Sequence, residues 1–293
     1  MHIVMTGATS GFGANAAARL AADGHKLTIG ARRPEAVDAG WQAAALPLDL
    51  DDFASVDAFA DAVAKGPAID ALVLNAGLQT AALETGAEGY ERTFAVNQLA
   101  HFRLLRRLLP QLAPGARVIL TGSGTHDPED KTMVTPPAHA NAEWLAFPDR
   151  DPTLPKGARA QAFRAYSSSK LANIMTAREL ARRRPDLAAM SFDPGYVPWT
   201  GLARSSGKIL SSLVSLILPL TMKHDRKSTV EKSGEYLAAL AAGPAYATAH
   251  GDYWSVRNPA LKPIEPSELA RDDAACAKLW DDCERLLGLA EAA

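Results

Sequence analysis

Tyr166 and Lys170 stand four residues apart in the run YSSSK, and that spacing makes proton chemistry available. On a helix, residues i and i+4 lie one turn apart on the same face. An ordinary tyrosine, with a pKa of about 10, holds its proton too tightly to exchange it freely near neutrality. An ammonium one turn away favours the phenolate and lowers that value. The run alone decides little, because chance placement of 6 Tyr and 11 Lys in 293 residues gives roughly 0.2 such pairs. A helix aromatic packed on the core is the bland alternative for Tyr166.

Delivering a proton to a carbonyl oxygen is useful only if hydride reaches the carbon, so a dinucleotide cradle is the next requirement. TGATSGFG, Thr6 to Gly13, follows an apolar run and opens an Ala-rich helical segment. Gly7, Gly11 and Gly13, with Thr9, Ser10 and Phe12 between them, let the backbone turn tightly and approach a pyrophosphate. The helix N-terminus then offers unpaired N–H groups and partial positive charge. A tight turn with no ligand is the competing reading. The second apolar run ends LTIGARRPE, and Arg32 lies 19 positions after Gly13. An acid there would hold a ribose 2′-OH, whereas a guanidinium suits a 2′-phosphate by charge and by its planar donor fork. NADP(H) is therefore expected over NAD(H), with Arg33 a second candidate reader. Two solvated arginines are the alternative, and Glu35 stands close enough to blur the choice. Asp49 and Leu50 in LPLDLDD are expected beside the adenine, and Asn75, Ala76 and Gly77 at a small-residue turn beside a ribose.

The elements that must position these groups are legible as an alternation. HIVMTG, KLTIGA, ALVLNAG, ARVILTGS and AAMSFDPG read as buried parallel strands, which need no polar alternation. GANAAARLAADG, DFASVDAFADAVAKG, EGYERTFAVNQLAHFRLLRRLLPQL and AFRAYSSSKLANIMTARELARRR read as helices. Gly24 and Gly66 are expected to end two of them. The fold class is α/β, a doubly wound parallel sheet with helices on both faces, in one domain over residues 1–293. Two segments break the rhythm: an insertion at 124–160 and a loop region at 195–230. Both follow strands, and ligands in such sheets bind beyond the strands' carboxyl ends, so both are expected around the site mouth. A surface loop and a packing helix are the alternatives.

Ser123 in VILTGSG, Asn97 in FAVNQLAHF, and Pro194, Gly195 and Val197 in DPGYV complete a set. With TGATSGFG, NAG and YSSSK, in this order, the chain resembles the short-chain dehydrogenase/reductase family, with its single-domain Rossmann sheet. The resemblance implies that Tyr166 is the proton donor and that Lys170 is its electrostatic partner and binds the nicotinamide ribose. Ser123 then donates to the substrate oxygen, Asn97 shapes a relay, and Pro194, Gly195 and Val197 lie beside the nicotinamide. YERTFAVNQLAHFRLL and the long interval between Ser123 and Tyr166 are similar to the retinol dehydrogenase and protochlorophyllide reductase-like branch, which includes bacterial polyketide ketoreductases. Light-driven protochlorophyllide reduction is not expected, because residues 124–260 hold no cysteine. Substrates of the branch are bulky and apolar. Trp144, Phe147, Trp199 and the apolar stretch 209–220 suit such a pocket wall, or simply a core. Relatives pair through the helix ending near Leu112 and the helix carrying Tyr166, which implies a homodimer or homotetramer unless the insertion obstructs it.

Composition narrows the classes further. Charged residues are 22% and the formal net charge is −2, so nothing points to nucleic acid. His126, His139 and His224 show no ligand spacing, so no metal is expected. The stretch 209–220 is too short and serine-rich to span a bilayer; a substrate lid, a subunit contact or a membrane-surface segment are its readings. The N-terminus enters a strand without a basic-then-apolar leader, so a cytoplasmic protein is expected. Cys276 and Cys283, seven apart, suit one face of a helix and not a disulfide within it. The leading expectation is NADPH-dependent reduction of a ketone or aldehyde. Its reverse, alcohol oxidation, and a non-catalytic NADP(H)-binding redox sensor stand behind it.

Overall fold

The computed structural model describes residues 1–197 and 226–289. Eight strands form one sheet in the order β3-β2-β1-β4-β5-β6-β7-β8. The strands are β1 (His2–Thr6), β2 (Lys26–Ala31), β3 (Ala43–Pro47), β4 (Ile69–Leu74), β5 (Leu112–Thr121), β6 (Ala188–Asp193), β7 (Asp252–Arg257) and β8 (Ala260–Pro263). All neighbours pair in parallel except β7 with β8. Every residue of β1 and β6 is buried, as expected for strands covered on both faces. The order reverses at β1, so the turns after β1 and β4 lie side by side at the switch point. β3 ends at Pro47, so Asp49 lies in the loop beyond it rather than on the strand.

Helix α1 (Gly11–Ala22) packs on one face of the sheet beside a helix spanning Val230–Ala242. Gly234 permits that approach, since a Cβ there would lie 2.4 Å from Asn15 Oδ1. The other face carries α2 (Phe53–Ala64) and a three-part rod: α3 (Arg92–Phe94), a π-helical segment (Ala95–Leu99) and α4 (Ala100–Leu108). The sequence reading ran that rod from about Glu88 as one continuous helix. It starts later because the Glu91 carboxylate caps it, accepting from the Thr93 and Phe94 amides at 3.0 and 2.7 Å. The insertion contributes 3₁₀ turns and α5 (Ala142–Ala146), whose apolar residues join the core.

Helix α6 (Ala158–Arg183) carries YSSSK, and every residue from Tyr166 to Ala177 is buried. A helix buried all round needs cover on its outer side. The helix Asp273–Leu286 supplies that cover, packing along α6 and reaching α4 through Trp280 and Glu284. Trp280 meets Phe102 edge-on at 4.8 Å between ring centres. Arg183 pairs with Asp281 at 2.7 Å, and Arg106 pairs with Glu284. Burying Trp280, 2% exposed, contributes roughly 3–5 kcal/mol of apolar transfer. Cys276 and Cys283 sit in this helix as free thiols, pushed up by burial to about 11 and about 12.

Candidate active site

The predicted residues converge along the carboxyl edge of the sheet. Gly7 follows β1, Asn75 to Gly77 follow β4, Ser123 follows β5, and Pro194 to Val197 follow β6. Gly7 adopts φ +70° and Gly11 φ +59°, the left-handed region where glycine carries no Cβ penalty. Gly13 serves a different need. A Cβ there would lie 2.1 Å from the Gly7 carbonyl oxygen and 2.5 Å from Asn75 Nδ2. Its bare α-carbon lets α1 close against both turns. Ser10 heads α1 without a capping side-chain bond, and no acid occupies the first turn. The helix N-terminus thus keeps donors and partial charge to offer an anion, which fits a dinucleotide pyrophosphate. Thr9 and Ser10 are exposed at this mouth, whereas Phe12 is buried against Phe192.

Arg32 and Arg33 are exposed at the end of β2, and neither pairs with an acid among the described residues. Asp49 is exposed and accepts from the Asp51 amide, while its own amide donates to Ser55 Oγ. Leu50 is buried. Gly195, at φ +70°, donates its amide to the buried Asp193 carboxylate at 3.0 Å.

Two hydrogen-bond tracks join the cradle to YSSSK. In the first, Asn75 Nδ2 donates to the Gly7 carbonyl at 3.1 Å, and Asn75 Oδ1 accepts from Thr121 Oγ1 at 3.1 Å. The Thr121 carbonyl then accepts from Lys170 Nζ at 3.0 Å and Asn173 Nδ2 at 2.9 Å. In the second, Asn97 Oδ1 accepts from the Leu78 amide at 2.8 Å, and Asn97 Nδ2 donates to Ser169 Oγ at 3.0 Å. Ser169 Oγ in turn donates to the Tyr166 carbonyl at 2.7 Å. Gly77 leaves room between these tracks, since a Cβ would meet Asn97 Oδ1 at 3.1 Å and Lys170 Nζ at 3.4 Å.

Ser123 Oγ accepts from the amide and hydroxyl of Thr125, at 3.3 and 3.2 Å, and lies near enough to the Tyr166 phenol to favour its phenolate form. His126 braces this turn. Its Nδ1–H donates to the Ser123 carbonyl at 2.7 Å, and its Nε2 accepts from the Ser267 amide at 3.1 Å. Burial lowers its pKa, in keeping with a structural imidazole. No group of metal-ligating side chains exists among the described residues.

The electrostatics depart from the expectation that Lys170 depresses Tyr166. Burial dominates both groups: it pushes the phenol up to about 12, with the nearby Ser123 hydroxyl pulling the other way, and lowers Lys170 to about 8. Lys170 Nζ lies 5.8 Å from the Tyr166 ring centre. The phenol therefore keeps its proton throughout neutral pH.

Trp144 stacks edge-on against His139, and Phe147 lies between Tyr90 and Arg150. The first contact belongs to the insertion's own packing, whereas Phe147 ties the insertion to Tyr90 beside the core. Trp199, His224 and the stretch 209–220 lie outside the described residues. Sequence reasoning missed Thr6, His101, Thr121, Ser169 and Asn173. His101 is four after Asn97 and Asn173 three after Lys170, so helical spacing alone could have flagged those two.

Strand order, switch-point cradle and buried tyrosine–lysine pair define a dinucleotide-dependent oxidoreductase of the doubly wound class. A short chain dehydrogenase profile matches residues 1–132. A Streptomyces sp. (strain C5) chain, named as a candidate daunorubicin C-13 ketoreductase, is 33% identical over 98% of this chain and 92% of its own. Protochlorophyllide reductase of Avena sativa is 32% identical over 98% of this chain and 100% of its own. A crystal structure of an uncharacterized Mycobacterium paratuberculosis protein superposes with TM-score 0.73, at 27% identity, over 100% of this chain and 95% of that one. BdcA in complex with NADPH gives TM-score 0.63 and 25% identity over 87% and 92%. The chain belongs to the short-chain dehydrogenase family and is an oxidoreductase of its ketoreductase and protochlorophyllide reductase branch. No helix among the described residues is long and apolar enough to cross a membrane.

Proposed function

We propose that the protein reduces a ketone or aldehyde on a bulky, largely apolar substrate, using NADPH, with Tyr166 as proton donor. The observation that carries this reading is the meeting of the Tyr166 phenol with the Ser123 hydroxyl, beside a Lys170 ammonium tied to the cradle. Gly7 to Gly13, Arg32, Arg33, Asp49, Leu50, Asn75 to Gly77, Lys170 and Pro194 to Val197 would hold the dinucleotide. When bound, it supplies hydride to the carbonyl carbon. Ser123, fixed by the two Thr125 donors, turns its remaining proton toward the substrate oxygen, where charge develops. Tyr166 transfers its phenolic proton to that oxygen. Lys170 then faces a phenolate, and at 5.8 Å from the ring centre the attraction is roughly 3 kcal/mol at an effective dielectric of about 20. Two of its three N–H donors remain for ribose hydroxyls. A phenol held at about 12 is loaded for reduction at neutral pH, whereas alcohol oxidation must first deprotonate it.

NADPH over NADH is supported by Arg32 and Arg33 at the end of β2, which pair with no acid among the described residues, and by the NADPH bound in the BdcA neighbour. A bulky substrate is supported by relatives named for daunorubicin and protochlorophyllide. A thiol proton donor is not, because both cysteines lie buried in the helix Asp273–Leu286. That helix packs against Phe102 and Arg106 of α4 and Arg183 of α6, the two helices expected to pair in a dimer, and cover there would favour a monomer over the expected homodimer or homotetramer.

The test is absorbance-monitored NADPH and NADH oxidation against aromatic and polycyclic ketones and aldehydes, with Tyr166→Phe and Arg32→Ala alongside. Turnover that prefers NADPH, vanishes in Tyr166→Phe and loses its preference in Arg32→Ala is expected. Full activity in Tyr166→Phe would sink the mechanism, and tight NADPH binding without any turnover would promote the redox-sensor reading.

A further inference from the structure

Between the dinucleotide turn and the Asn97 segment lies one side chain with no role so far. His101, in α4, is fully buried, and both ring nitrogens are bonded. Nε2 lies 3.0 Å from Thr6 Oγ1, at the end of β1, and Nδ1 lies 3.0 Å from the Asn97 carbonyl oxygen.

Proton bookkeeping fixes every direction in this chain. Thr6 Oγ1 accepts from the Asn75 amide at 3.0 Å and the Ala76 amide at 3.0 Å. Both are N–H donors, so the hydroxyl's two lone pairs are taken and its single proton must go elsewhere. The Asn97 carbonyl can only accept, so Nδ1 carries the ring proton and Nε2 is left as an acceptor. Thr6 therefore donates to Nε2. The sequence of donors runs from the Asn75 and Ala76 amides to Thr6, to His101, to Asn97. A second ring proton would aim an N–H at a hydroxyl with no lone pair left. Burial and the nearby Lys170 charge agree, lowering the imidazole to about 4.

We propose that His101 is a positioning residue, locked in one neutral tautomer, that couples the turn beneath the cofactor to Asn97. The Asn97 side chain holds Ser169 and, through it, the Tyr166 carbonyl, so the turn that receives the dinucleotide is tied to the helix that donates the proton. This rests on the NADPH-dependent reading above.

The test is a double-mutant cycle on the full chain with Thr6→Val, His101→Leu and the pair together. NADPH affinity is read by fluorescence titration, and kcat and KM are read on whichever carbonyl the panel selects. Each single variant is expected to weaken NADPH binding about tenfold, as follows from leaving buried polar groups unpaired, and to lower kcat more than it changes KM. The double variant is expected to be no worse than the worse single one, because both cut one chain. His101→Gln and His101→Asn, which keep an acceptor or a donor, fold if His101→Leu does not, and should each recover part of the affinity. Additive losses overturn the coupling. So does a lowered melting temperature with NADPH affinity and kcat unchanged, which would mark His101 as packing alone. A wild-type chain that binds no NADPH would instead refute the cofactor reading, so the two failures are distinguishable.

Discussion

Replacing Lys170 with methionine should abolish turnover and make the fold more stable. Lys170 is 3% exposed, and burial lowers its pKa from 10.5 to about 8. The folded chain thus binds that proton less tightly than the unfolded chain does. Below about pH 8 both states carry the charge, and the folded state bears the whole desolvation cost. Stability then rises as pH climbs from about 8 to 10.5, where only the unfolded state keeps the proton. At about 1.4 kcal/mol per pH unit of displacement, the cost at neutral pH is roughly 3 kcal/mol. Methionine keeps the unbranched stem without the charge. The Thr121 carbonyl is not orphaned, because Asn173 Nδ2 still donates to it at 2.9 Å. Subtracting about 1 kcal/mol for the lost hydrogen bond leaves a gain of about 2 kcal/mol, or roughly 5 °C in Tm. Thermal and urea melts of both proteins at neutral pH and near pH 10.5, with NADPH oxidation alongside, read this directly. The variant should melt higher at neutral pH, and the gap should narrow as the wild type sheds its charge. A variant that melts lower, or a gap indifferent to pH, would refute the argument that this charge is held for chemistry against stability.

Other perturbations probe other parts of the molecule. Gly13→Ala puts a methyl group 2.1 Å from the Gly7 carbonyl oxygen, and should weaken NADPH binding by at least about tenfold in fluorescence titration; retained affinity would mean α1 need not sit this close. Glu91, 3% exposed, has its pKa raised by burial from 4.5 to about 7. Its contribution is full below pH 4.5 and lost as pH rises through about 7, a decline of roughly 3 kcal/mol. Glu91→Gln should flatten the urea midpoint across that window, and an unchanged slope would place the titration elsewhere. Light scattering on the eluting protein should give one 31.1 kDa chain; a dimer would show that the helix Asp273–Leu286 does not take a partner's place.

The parallel strands were legible because burial on both faces leaves near-continuous apolar runs: HIVMT and AAMSFD became β1 and β6 with every residue buried. The cradle was legible because its glycines have backbone reasons. The rod at Arg92–Leu108 was not, since nothing local announces a π-helical segment, and its start depends on a glutamate acting as cap. The strands β7 and β8 escaped because the first is half-exposed and the second is a short edge strand. At the site, spacing brought Tyr166 and Lys170 together correctly but gave the wrong sign for the phenol. Charge proximity can be read from a helix, whereas the depth of burial that outweighs it belongs to the assembled protein. Thr6 and Thr121 were invisible for a related reason: each acts through strand neighbours far away in sequence.

The helix laid across α4 and α6 also has a consequence for how the protein is made. It is translated about a hundred residues after Tyr166, a lag of roughly 5–20 s at ordinary elongation rates. During that interval α6 can pair with the sheet on one side only, and the apolar surface awaiting Trp280 faces solvent or a chaperone. Completion of the packing around the helix that carries Tyr166 is thus a late event in biosynthesis, and nascent chains stalled before Asp273 should be both inactive and prone to aggregate.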